Sequence, residues 1–175
     1  MRAAIAVVLL AACASAPPPP PPHFTAVPAT VLDAMCARLH DEGIARETTV
    51  DLVRTTRPLV TRLSLQALGD ALFSGGHIDQ RLVAEAYATN ETPLPLGEEK
   101  ASCAWNPIDA KARRSRDTMT LELSAPFLAP FGKGSLGMLG RLALAGESAT
   151  WYWIPLANRD GVWVVGRTMP LAAHE

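Results

Sequence analysis

The sequence predicts an α+β domain, with N-terminal helices packed on a C-terminal antiparallel meander of four or so strands. Between residues 27 and 88 apolar side chains recur at intervals of three and four; from residue 118 onward they alternate, or run together between turn signals. Helices first and strands second is the α+β order. A length of 175 residues suits one domain. Segments of about 150 residues bury close to 70% of their unfolded surface, enough for an independent core.

The chain divides into residues 1–12, 13–26 and 27–175. The first twelve read MRAAIAVVLLAA, one Arg before an apolar run from Ala3 to Ala12. That run is short of the roughly 20 residues a transmembrane helix needs and has the form of a secretory signal. Two processing sites compete. Ala14-Ser15-Ala16 fits ordinary signal peptidase, although Pro17 would follow the cut. Leu10-Ala11-Ala12-Cys13 resembles the lipobox of bacterial lipoproteins. The resemblance covers only this N-terminal end. It implies a diacylglycerol on Cys13 and, with Ala14 next, an outer-membrane protein facing the periplasm. Two or more acyl chains anchor stably where one does not. Pro17–Pro22 follow as a spacer; six residues of polyproline II span about 19 Å.

Val31, Leu32, Met35, Cys36 and Leu39 predict a first helix over 27–40, with Thr30 as cap, Asp33 as a weak capping-box partner and Gly43 as stop. The β-branched run 47–56, cut by Pro58, predicts a short strand. Leu65, Leu68, Leu72 and Phe73 form the stripe of a helix opened by Ser64 and ended by Gly75-Gly76. Asp79 caps a third helix through Ala88, with Leu82, Val83, Ala86 and Tyr87 apolar. Residues 90–100 read as loop. Cys103-Ala104-Trp105 starts the sheet, and 110–117 is a basic turn.

Residues 118–125 alternate, with Met119, Leu121, Leu123 and Ala125 on one face and Thr118, Thr120, Glu122 and Ser124 on the other. Pro126 and Pro130 break the chain. Strands over 136–144, 148–157 and 162–169 follow, joined by Gly146-Glu147 and Asn158–Gly161. Read as a two-residue turn, the first connection pairs Leu142 with Trp151 and Gly140 with Trp153. Read as a four-residue loop, the second pairs Trp153 with Gly166 and Tyr152 with Arg167. One face then holds Leu142, Trp151 and Trp153 as core, with the Trp153 indole between Gly140 and Gly166. The other collects Arg141, Tyr152 and Arg167 beside Trp163. The element order resembles the cystatin-like roll of nuclear transport factor two-like domains. That likeness rests on the closing hairpin with its Trp and covers the last third; it implies binding of small ligands or partners, or in some members catalysis.

Few residues announce chemistry. With Cys13 lipidated, Cys36 and Cys103 remain as an even pair in an oxidising compartment. They are a disulfide, two buried thiols, or a nucleophile or metal ligand, with Cys36 sharing a helical face with His40 at i+4. His77 is the other candidate base. No His or Cys spacing suits zinc, and the sequence asks for no cofactor. Gly134-Ser135 fails the nucleophile-elbow pattern because Lys133 stands where glycine is needed, and Gly132–Ser135 is no phosphate loop. A net charge of −1 creates no field toward nucleic acid. Lys111, Arg113, Arg114 and Arg116 form a solvated turn or one that meets anionic lipid. Arg141, Tyr152, Arg167 and Trp163 are the candidate binding residues, for a small anion or an envelope partner. The expected function is non-catalytic partner or small-ligand binding, through one face of the sheet, by a membrane-tethered envelope lipoprotein. The alternatives are a periplasmic enzyme with a Cys/His or His site, or a structural envelope protein.

Overall fold

The computed structural model describes residues 23–44, 49–72, 78–97, 103–113, 117–131, 135–144 and 147–172. The signal segment, Cys13 and the proline spacer lie outside them, as do Gly75-Gly76, His77, Arg114, Arg116, Gly132–Gly134 and Gly146. In chain order the elements are α1 (Ala29–Asp41), β1 (Val50–Val53), α2 (Arg62–Leu72), α3 (Gln80–Thr89), β2 (Trp105–Ile108), β3 (Thr120–Leu123), β4 (Phe127–Leu128), β5 (Leu136–Ala143), β6 (Thr150–Arg159), β7 (Val162–Val165) and β8 (Met169–Leu171). The class is α+β. The sheet, however, is mixed and has eight strands rather than a four-stranded meander.

The strand order is β2-β1-β3-β5-β6-β7, with β4 also on β5 and β8 also on β6. β1 runs parallel to both β2 and β3, pairing Asp51 with Asn106 on one side and with Thr120 on the other. Parallel neighbours need a long crossover. The chain from Arg54 to Ala104, carrying α2 and α3, supplies it between β1 and β2. The remaining pairs are antiparallel.

Local chemistry sets the helix ends. α1 buries Val31, Leu32, Met35, Cys36 and Leu39, the predicted stripe. Its N-cap is Pro28, not Thr30. The Thr30 hydroxyl instead donates to the Trp163 carbonyl at 3.2 Å, tying α1 to β7. At the other end Gly43 has φ +81, which favours glycine. The Gly43 N–H reaches His40 O and the Ile44 N–H reaches Leu39 O, both at 3.0 Å, the two bonds of a Schellman stop. α2 opens on Thr61 rather than Ser64: the Thr61 N–H donates to Ser64 Oγ at 2.8 Å and the Ser64 N–H returns to Thr61 Oγ1 at 3.1 Å. Asp79 caps α3 as predicted, accepting from the Arg81 N–H at 2.9 Å.

The central strands of the sheet are buried on both faces. α1 lies on one, where Val31, Met35 and Leu39 meet Leu52, Leu121, Met138, Tyr152 and Ile154. α2 and α3 serve the other, where Leu65, Leu68 and Ala86 join Phe127, Leu139, Trp151 and Trp153. The polar side of β3 therefore does not face water: Thr120, Glu122 and Ser124 are all buried. Ser124 is satisfied locally, accepting from the Leu139 N–H at 2.8 Å and donating to Ala125 O at 2.9 Å.

Two predicted registers are corrected. Arg141 pairs with Trp151 and Gly140 with Tyr152, one residue from the expected pairing. A one-residue slip exchanges faces. Trp153 accordingly sits beside Leu139, with its indole over Gly137, where an added Cβ would meet the ring at 2.4 Å. The β6–β7 hairpin turns on two residues, Asp160 (φ 53) and Gly161 (φ 85), rather than four. Asp-Gly with both residues at positive φ is the hairpin turn matched to strand twist. β6 then pairs with β7 at one end and with β8 at the other. Gly166 N–H bonds Pro155 O, while Trp153 already pairs with Met169. Three residues thus advance against two, which is a bulge.

Cys36 and Cys103 form a disulfide, with Cα atoms 5.6 Å apart across a sequence separation of 67. It joins α1 to the residues that lead into β2, an edge strand. Closing a loop of that length removes unfolded-state entropy worth about 4 kcal/mol. Replacing Cys36 and Cys103 together by Ser should lower unfolding stability by about that amount in denaturant titration, with the far-ultraviolet spectrum unchanged.

Candidate functional site

The four predicted binding residues do not converge. Tyr152 lies on the α1 face, fully buried, and its hydroxyl donates to Glu42 just past the end of α1. Burial, and next the bond to Glu42 and its negative charge, push the phenol well above its ordinary range. Trp163 shares that face, half-buried, with its ring 4.8 Å from Phe24. Arg141 points to the opposite face, as its pairing with Trp151 requires. Its guanidinium lies 5.9 Å from the Trp151 ring centre and 3.2 Å from Glu122 Oε2. Arg167 is exposed, in the bulge between β7 and β8.

Arg141 instead belongs to a buried polar band. Glu122 is its cross-strand partner and is only 5% exposed. Arg57 Nε approaches the other carboxylate oxygen at 3.6 Å. On the neighbouring strand Asp51, also buried, accepts from Asn106 Nδ2 at 2.6 Å. A carboxylate removed from water needs such partners. The band closes the part of this face beyond the apolar cluster under α2 and α3, and its bonds are internal.

The other predicted chemistry is also placed. Cys36 is in the disulfide, so no thiol stands beside His40, which is exposed. Among the described residues no group of three or more His, Cys, Asp or Glu could hold a metal ion. Lys111 and Arg113 are exposed, in keeping with a solvated turn.

Concave surface lies around α3. This helix buries a single residue, Ala86. Between it and α2 runs a groove of about 560 Å³ lined by Arg62, Gln66, Gly69 and Asp70 from α2, Val83 and Tyr87 from α3, and Ile78 and Phe131. The Phe131 ring packs on Gly69, where an added Cβ would meet it at 2.8 Å; the missing side chain seats the ring in the groove floor. A second hollow of about 390 Å³ on the far side of α3 is lined by His23, Phe24, Glu85, Thr89, Phe127 and Leu136. The first has exposed apolar residues in its lining: Ile78 is 43% exposed and Tyr87 38%. Leu63, 62% exposed, lies on α2 outside that lining. It is the candidate binding site.

Sequence reasoning missed this groove, although one signal was present. At about 100° per residue, Leu63 falls some 160° from Leu65 and well off the stripe of Leu65, Leu68 and Leu72. A leucine there cannot enter the core. No family model, no curated protein and no solved structure matches this chain.

Two measurements check these placements. Arg141→Ala removes the cross-strand cation from the buried Glu122 carboxylate and should cost about 3 kcal/mol of stability, whereas Arg167→Ala should stay within about 0.5 kcal/mol; urea titration of both separates them. Tyr152→Phe removes a bond to a carboxylate and should cost about 1–2 kcal/mol at neutral pH. Because the folded phenol titrates above its unfolded value of 10.0, its contribution is full below that pH and is lost as pH rises above it. Alkaline unfolding profiles should therefore be flatter for the Phe variant.

Proposed function

We propose that this chain is a lipid-anchored protein of the bacterial cell envelope, held by Cys13 in the outer membrane and facing the periplasm. Its domain is a binding module that takes a partner in the α2–α3 groove, without catalysis. The observation that carries the reading is Leu10-Ala11-Ala12-Cys13 at the close of an apolar run. Cysteine usage supports it. The chain has three cysteines, and Cys36 and Cys103 consume each other. A disulfide suits an exported protein, and Cys13 is left with a separate task.

The proline run supports the same reading. Six consecutive prolines, Pro17–Pro22, follow Cys13 after three small residues. A spacer of about 19 Å keeps a folded body off the headgroups while limiting how far it can stray. Binding through a sheet face, the expectation from sequence, gives way to binding through the helices. The central strands have α1 on one side and α2 with α3 on the other. The groove offers what a binding surface needs, a concave apolar floor with charged groups at its rim.

Metabolic labelling with a fatty-acid probe, followed by membrane fractionation, tests the anchor. The native chain should carry the probe and sediment with membranes; Cys13→Ala should carry none and appear in the soluble fraction. Equal labelling of the two would refute it.

A further inference from the structure

We infer that the occupant of the α2–α3 groove is a second copy of this chain, docked by antiparallel pairing of α2 with its two-fold mate. The inference rests on the binding reading above and names its partner.

The pattern along α2 carries it. Arg62, Gln66 and Asp70 stand at intervals of four, so they share one ridge of the helix, and all three line the groove. The ridge is about 12 Å long. All three residues are exposed, and neither Arg62 nor Asp70 forms an ion pair with any described residue. A base, an amide and an acid in that order are complementary to the same ridge reversed. A two-fold axis at Gln66 sets Arg62 opposite Asp70 of the other copy and Asp70 opposite its Arg62. The two Gln66 amides meet on the axis, where each can donate and accept. Such contacts are what an isologous interface requires, the same patch on both partners. Ridges at intervals of four are also those that interlock in the commonest helix packing.

The apolar surface agrees with this placement. Four large apolar side chains are exposed among the described residues. Ile78 and Tyr87 line the groove, and Leu63 flanks it on α2. The fourth, Val162, is on the β6–β7 hairpin. Pairing at α2 covers the first three with a mixed rim of one base and one acid, so each charge on the ridge meets its opposite. Two copies tethered to one membrane also meet at raised effective concentration.

The test uses the full-length lipidated chain with Gln66→Cys. With Cys36 and Cys103 bonded and Cys13 acylated, the introduced thiol is the free one. Mild oxidation in native membranes should give a disulfide-linked homodimer on a non-reducing gel. Arg62→Asp or Asp70→Arg in that background should each lower the linked fraction about tenfold by placing like charges together on both sides of the axis. The double reversal, Arg62→Asp with Asp70→Arg, should restore it. A linked dimer whose yield ignores the single reversals, or is not rescued by the double, overturns the pairing. An adduct of the introduced thiol with a different polypeptide overturns the self-partner while leaving the groove as a binding site. Failure of that thiol to form an adduct of either kind overturns both.

Discussion

β6 is the strand on which the rest of the domain depends. Trp151 and Trp153 project from one side of it and Tyr152 and Ile154 from the other, and all four are buried. An ordinary amphipathic strand supplies one core; this one supplies two. Each face therefore needs its own cover, because large apolar side chains left in water on either side would forfeit the free energy of burial. α1 takes the Tyr152 side and the α2–α3 crossover takes the Trp153 side. The parallel insertion of β1 between β2 and β3 follows from that division. A chain that has covered one face with α1 must cross the sheet to cover the other and then return to its edge. The disulfide fastens that return, since β2 is an edge strand paired with β1.

Elements declared by local chemistry were legible. The α1 stripe, the Gly43 stop and the Asp79 cap depend on residues within one or two turns of each other, and they stand where the sequence placed them. The pairing of distant segments was not. Nothing in Val50–Val53 says that it will lie between Trp105–Ile108 and Thr120–Leu123, because β1 neighbours are chosen by burial of both its faces. The register of β5 and β6 failed for a narrower reason. Pairing Leu142 with Thr150 leaves an odd number of residues between them, whereas a two-residue turn demands an even one. That single residue moved Arg141 and Tyr152 to opposite faces and dissolved the site inferred from them. At the β6–β7 turn the error was two residues, which keeps the faces. Trp163 accordingly stayed on the side expected of it, with Tyr152.

The fate of Arg141 shows how a binding-like constellation arises from a structural need. On β3 and just past its end, Thr120, Glu122 and Ser124 alternate with apolar residues in the manner of a solvent-facing edge. Once that face is covered, Glu122 must be neutralised, and the cross-strand position opposite it is Arg141. Arg57 supports the same carboxylate. Ion pairs of this kind contribute little net stability when intact, but removal of one member leaves a buried charge. The arginine that looked available for an anion is committed to one inside the protein.

The helices on that face are asymmetric in a way that bears on function. α2 buries Ser64, Leu65, Ala67, Leu68 and Gly69, whereas α3 buries Ala86 alone. α3 is seated through Ala86 with Val83 half-buried beside it, and hollows open on both sides of the helix. Tyr87, which belongs to the apolar stripe of α3 by spacing, is thereby left at the rim. The sequence period alone could not distinguish a stripe that is buried from one that is only half covered, because both read the same along the chain. The half-covered stripe, facing a ridge of α2 whose charges find no ion-pair partner among the described residues of their own chain, is what supports the proposal of a binding surface on the helices.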